Sequence, residues 1–105
     1  MSIQPTEWPQ GVIARYLTVG GALVDLIEQP GYTHVSQNTE TTAKCTGCHD
    51  NHTEDWGFDF WANEHGEPQP PSFDRNGEWA TRKARTWAQA HAEKCRALPR
   101  PGGAA

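Results

Sequence analysis

The sequence has no apolar run approaching the roughly 20 residues that a membrane-spanning helix needs. Its first 30 residues also lack the charged start, apolar stretch and small-residue cleavage site of a secretory leader. Together these absences give a cytoplasmic location as the expectation. There is no basic excess: Lys and Arg number nine against 13 Asp and Glu, a net charge of -4, which argues against a wholly basic nucleic-acid coat protein. Apolar residues make up only 35% of 105 residues, enough for one small domain with a modest core but not for a deep cleft. With 10 Gly and 8 Pro besides, such a chain needs a staple. Cysteine occurs three times, an odd number, and a reducing compartment disfavours disulfides, so Cys45, Cys48 and Cys95 read as thiols or metal ligands.

Two of these cysteines stand in KCTGCH, residues 44–49. Cys45 and Cys48 followed by His49 spell the C-x-x-C-H of haem attachment, and the same C-x-x-C is half of a zinc site. Haem attachment normally follows export, and the only Met is the first residue, which leaves no methionine for the second axial position.

Residues 12–28, VIARYLTVGGALVDLIE, predict a β-hairpin turning at Gly20-Gly21. Pairing Val19 with Ala22 sets Leu17 against Val24, Arg15 against Leu26 and Ile13 against Glu28 on one apolar face with charged rims. Tyr16, Leu23 and Ile27 then lie on the mixed, partly covered face. After Pro30-Gly31, YTHVSQNTETTAKC predicts an exposed third strand leading to Cys45, with His34 facing solvent. Residues 49–77 read as irregular: FDFW is a candidate short strand, Pro68, Pro70 and Pro71 enforce a loop, and Trp56, Phe58, Trp61 and Phe73 serve as core filler and loop anchors. Residues 78–98, EWATRKARTWAQAHAEKCRAL, form the clearest helix, capped by Asn76 or Asp74 and stopped by Pro99. Its inward face carries Ala80, Ala84, Trp87, Ala88, His91, Cys95 and Leu98.

His91 and Cys95 stand one helical turn apart and can clasp one ion. With Cys45 and Cys48 they give C-x2-C…H-x3-C, four ligands whose thiolates and imidazole suit tetrahedral Zn2+ and leave no open coordination position. A site so closed is structural, and the chain is expected not to be an enzyme. Free buried thiols and a haem or other redox centre are the alternatives, and His49 or His52 competes with His91 for the fourth ligand. Three thiolates and a divalent ion take the charge only to about -5, so metal does not make the surface basic. The expected fold is α+β: a single zinc-binding domain over 1–99, with a β-sheet region at 12–44, the zinc turn and loop at 45–77, a helix at 78–98 and a disordered tail at 100–105.

Cys45, Cys48, His91 and Cys95 resemble the CCHC version of a zinc finger, with the same turn-then-helix ligand order. The long, proline-containing interior and acidic total depart from the ordinary ββα finger. RYLTVGGALVDL, CTGC and WAQAHAEKCRALP are similar, more loosely, to small actinobacterial proteins, some associated with plasmids and prophages. That resemblance brings no activity of its own; together with a basic helix stripe it makes a nucleic-acid-binding or regulatory accessory role in a mobile element the expectation. His91-Ala92-Glu93 also resembles part of the zinc deaminase motif. There, however, H-x-E precedes P-C-x-x-C, whereas here it follows, and Cys95 takes the position a catalytic water needs.

The helix carries a second stripe, Arg82, Arg85, Gln89 and Arg96, turned away from the zinc face. Arg suits bidentate phosphate contacts and Gln suits adenine edges, so this stripe is the candidate nucleic-acid contact; a solvated face pairing with nearby Glu is the plainer reading. A protein partner or second copy meeting Tyr16, Leu23 and Ile27, or the aromatic segment 56–61, is the alternative. Neither a membrane nor a small-molecule substrate is expected.

Overall fold

The computed structural model describes residues 8–99. Four strands, β1 (Val12–Leu17), β2 (Leu23–Gln29), β3 (Glu40–Cys45) and β4 (Asn51–Asp55), precede a short helix α1 (Phe60–Glu64) and a longer one, α2 (Glu78–Ala92). The strands form one antiparallel sheet in the order β1-β2-β3-β4, and α2 packs across one face of it. This is an α+β domain. Among the described residues, no helix is long and apolar enough to cross a membrane. The expected tail, residues 100–105, lies outside the described residues.

Side-chain alternation on the strands and four-residue spacing on the helix explain how the two layers meet. Val24 and Leu26 of β2, Ala43 and Cys45 of β3 and Ala14 of β1 point at α2, which answers with Ala84, Ala88 and Ala92. Ala80 continues that row. Alanines along the contact line let the helix lie close to the sheet, so the core is thin and its largest fully buried apolar side chains are Leu26 and Val24. Burying each of these contributes about 1.5–3 kcal/mol.

Several local expectations are corrected. The hairpin pairs Leu17 with Leu23, Tyr16 with Val24, Arg15 with Asp25 and Ala14 with Leu26, one residue away from the expected register. Because strand faces alternate, the slip turns Ala14 and Tyr16 inward and leaves Leu17 and Val19 exposed. The cause is a three-residue loop closed on Thr18, whose N–H donates to Ala22 O and whose Oγ1 accepts from Ala22 N–H. The slip also seats Arg15 on Asp25, its Nε donating to Oδ1 at 2.7 Å, instead of opposite Leu26.

The third strand is not exposed: β3 lies between β2 and β4, with Thr41, Thr42 and Ala43 buried. His34 is exposed but lies in a turn. Asn51–Asp55 forms an edge strand that the polar sequence NHTED did not advertise. FDFW is not a strand: Phe60 and Trp61 begin α1, and Asp59 caps its first turn by accepting from Ala62 N–H at 3.0 Å.

Helix α2 ends at Ala92, six residues before the expected Leu98, which is exposed. Propensity alone continues it, but tertiary hydrogen bonds win. Val19 N–H donates to Ala92 O and Gly20 N–H to Cys95 O, so the hairpin tip takes carbonyls at the helix end. At the other end Gly77 is the N-cap residue, with φ 67°, while Asp74 Oδ2 accepts from Ala80 N–H at 2.9 Å. Asn76 makes no such bond.

Candidate metal centre

Cys45 and Cys48 occupy the tight turn between β3 and β4. Cys45 N–H donates to Asp50 O and His49 N–H to Cys45 O, and His49 closes the turn with φ 68°. This winding aims two further backbone donors at sulfur: Gly47 N–H at Cys45 Sγ and Asp50 N–H at Cys48 Sγ, each at 3.4 Å. Backbone N–H groups aimed at a sulfur favour its charged form. Thr46 fastens the turn to the start of β2, its N–H donating to Leu23 O and its Oγ1 accepting from Leu23 N–H.

The other two ligand candidates come from the end of α2. His91 lies in its last turn, and Lys94 and Cys95 N–H groups both donate to His91 O, so the chain curls back and sets Cys95 beside Cys45. The following residues cross the metal turn so closely that a Cβ on Gly47 would lie 2.5 Å from Ala97 O. Only glycine admits that crossing.

Cys45 Sγ and Cys95 Sγ are 3.8 Å apart, Cys48 Sγ and His91 Nε2 3.3 Å, and all four ligand atoms lie within 4.8 Å of one another. Sulfurs about 2.3 Å from a tetrahedral ion stand about 3.8 Å apart, and a sulfur and a nitrogen about 3.5 Å. The donor set and spacing therefore fit a tetrahedral ion of the zinc type. Cys45 is buried, His91 and Cys95 are half-buried and Cys48 is exposed, so the cluster is partly open to solvent, most at Cys48.

The two turn sulfurs differ in their protonation. Burial pushes the Cys45 thiol up, but the Cys48 and Gly47 N–H groups, with His91 and Cys95, outweigh it and bring its pKa down to about 7. At Cys48 the Asp50 N–H acts downward, while desolvation and the neighbouring Cys95 and Cys45 sulfurs overcome it and raise the pKa. The turn thus favours the thiolate at Cys45 and disfavours it at Cys48.

His49 and His52 stand outside the cluster. His52 points from β4 at the helix and takes another role: its ring stacks on Trp87, and Trp87 stacks on His91. The helical spacing of Trp87 and His91 was visible in the sequence, but a partner from an unrecognised strand was not. The candidate stripe is divided. Arg82, Arg85 and Gln89 are exposed on α2, with Arg85 Nη1 donating to Tyr16 Oη at 2.8 Å and Arg82 lying over Trp79; Arg96 is exposed beyond the helix.

No protein-family model, curated protein or solved structure matches the chain. The likeness to CCHC fingers is therefore carried by the four ligand residues alone. What fold and site define is a small α+β domain with a Cys3His cluster fit to hold a metal ion.

Proposed function

We propose that the chain is a non-catalytic binding module in which Cys45, Cys48, His91 and Cys95 hold one structural Zn2+. The observation that carries this is the convergence of four soft donors, drawn from the β3–β4 turn and the end of α2, within 4.8 Å. All three cysteines and the one histidine in the cluster are used as ligands, which leaves a bound ion no position for substrate or an activating water. The ion would act by joining sheet to helix, since a site assembled only in the folded chain contributes its binding energy to folding. Elemental analysis tests this: about one zinc per chain, lost in Cys95→Ala, is expected, and a metal-free wild type, or a haem spectrum, overturns it.

The partner we propose is a nucleic acid. Support comes from charge segregation: Arg82, Lys83, Arg85, Lys94 and Arg96 face only Glu93 within the stretch 80–99, while acids dominate 50–78. Among the described residues the Arg and Lys ion pairs are Arg15–Asp25 and Lys83–Glu54; none involves Arg82, Arg85 or Arg96, whose guanidinium groups carry no carboxylate partner, Arg85 bonding instead to the neutral Tyr16 hydroxyl. Binding to mixed-sequence DNA or RNA that falls steeply with salt and is lost in Arg82→Ala/Arg85→Ala is expected. A protein adaptor is the second reading, favoured by Trp61, 69% exposed on α1. Salt-insensitive partner binding abolished by Trp61→Ala would decide for it.

A further inference from the structure

An imidazole that ligates a metal is usually oriented by a hydrogen bond from its second ring nitrogen to a carboxylate or carbonyl. His91 departs from that pattern. Its Nε2 lies 3.3 Å from Cys48 Sγ, and among the described residues its ring makes no hydrogen bond to a carboxylate or a carbonyl. The face of the ring is held instead. Trp87, one turn earlier on α2, lies against it with ring centres 4.7 Å apart and planes 13° from parallel. His52 stacks on the same indole, with ring centres 5.6 Å apart and planes 10° from parallel. His52 is itself fixed, Nε2 to Glu54 Oε2 at 2.5 Å, and Glu54 Oε1 lies 3.7 Å from Lys83 Nζ, back on α2. The two imidazoles thus both lie near-parallel to the Trp87 indole, His91 carried by the α2 backbone and His52 held through Glu54 on β4.

From this geometry we infer that Trp87 is the positioning residue of the metal centre, setting the plane of His91 by stacking where a hydrogen bond would ordinarily do it. The inference deepens the proposed function and rests on its metal reading. The physical need is plain: rotation about the last side-chain bond of His is broad, so an unrestrained ring spends much of its time with Nε2 turned away from the sulfurs. A flat surface at van der Waals distance removes that freedom while leaving the ring edge, and so Nε2, clear. His52 stops the indole from swinging out in its turn.

The test is Co2+ titration of reduced protein, reading the visible bands of a tetrahedral thiolate site, with Zn2+ affinity taken from competition against a chelator. Wild type, Trp87→Ala, Trp87→Leu, Trp87→Phe and Trp56→Phe are compared. Trp87→Ala and Trp87→Leu are expected to bind about 10–100-fold more weakly, the range for lost orienting partners, with shifted visible bands. Trp87→Phe keeps a flat face and is expected to stay within about threefold of wild type, its bands unchanged. Trp56→Phe weakens the fold at the far end of α2 and is expected to bind as wild type does. Leu retains apolar bulk without a flat face, so it serves where the alanine variant does not fold. Wild-type affinity and bands in Trp87→Leu overturn the inference, as does an equal loss in Trp56→Phe. A wild type that shows no thiolate–Co2+ bands overturns the metal reading itself, a result distinct from both.

Discussion

Helix α2 is fastened to the sheet at both ends, and the two ends use different chemistry. At its C-terminal end a cluster of sulfur and imidazole donors joins the β3–β4 turn, the helix end and, through backbone hydrogen bonds, the β1–β2 hairpin tip. At its N-terminal end the work is done by side-chain hydrogen bonds and rings. Trp56 Nε1 donates to Thr41 Oγ1 at 2.9 Å, Thr41 Oγ1 and Thr81 Oγ1 share a bond of 2.9 Å, and Thr81 Oγ1 donates to Glu28 Oε2 at 3.2 Å. Beyond this chain Tyr32, Phe58 and Phe73 pack ring against ring. A thin, alanine-lined core needs an anchor at each end, and only one of the two depends on an added ion. Stability should therefore be lost unevenly when the ion is withdrawn.

Metal removal breaks the comparison most strongly. Structural zinc in small domains contributes on the order of 10 kcal/mol of apparent folding energy. In a chelator-treated or Cys45→Ser chain, amide hydrogen exchange is expected to accelerate first and most in residues 18–22, 46–50 and 88–95, and least around Thr41, Trp56 and Thr81. Uniform acceleration would mean that the two anchors are one cooperative unit, and no acceleration would mean that the cluster carries no stability.

Substitution at Gly77 attacks the other anchor. The residue has φ 67°, and an added Cβ would meet Trp56 Cζ2 at 2.1 Å, inside the buried ring. Gly77→Ala combines left-handed backbone strain with displacement of a core indole, a cost of about 2–4 kcal/mol in denaturant unfolding of the metal-loaded protein. Metal affinity is expected to hold, because the site lies at the opposite end of the helix. A change in affinity as large as the change in stability would show the ends to be coupled.

The metal end was the more legible in the sequence. Spacing alone picked out Cys45, Cys48, His91 and Cys95, since three positions apart on a turn and four apart near a helix end are local relations that tertiary packing seldom rearranges. The helix and the hairpin were equally local. What escaped was set by distant partners: the true end of α2, decided by Val19 and Gly20 N–H groups from the hairpin tip, and the hairpin register, decided by Thr18 and the Arg15–Asp25 pair. Strand β4 was hidden because NHTED carries no apolar residue; its inward side chains are His52 and Glu54, polar groups satisfied by each other and by contacts with Trp87 and Lys83. The Trp56–Thr41–Thr81–Glu28 chain joins four elements or loops far apart in sequence, and no spacing rule signals it.

Acidity should reveal the unequal sulfurs in the metal-free, reduced chain. In the folded chain Cys45 loses its proton at about 7, and an unfolded thiol does so near about 8.5. Between those values the unfolded chain holds more protons, so stability rises with pH and is lost again as pH falls through 7. The folded-state pKa of Cys48 is raised, so at more alkaline pH the folded chain holds more protons and stability turns down. Denaturation midpoints at pH 6.5, 8 and 9.5 are expected to peak at the middle value, and Cys45→Ala to lose the rise. A steady climb or fall across all three points in the wild type would contradict the assignment.

The smallest expected effect separates two roles for one residue. His49 follows the C-x-x-C pair directly and reads from sequence as a possible fourth ligand, yet it is exposed, stands outside the cluster and holds φ 68°. That backbone conformation is strained for histidine and free of strain for glycine. If His49 acts only as the backbone corner of the turn, His49→Gly relieves the strain and raises stability by about 0.5–1 kcal/mol, with zinc affinity unchanged. If it were a ligand, the same substitution would remove a metal donor and bring down stability with it. Opposite signs in a single thermal melt, zinc present, distinguish a residue that shapes the metal turn from one that binds the ion.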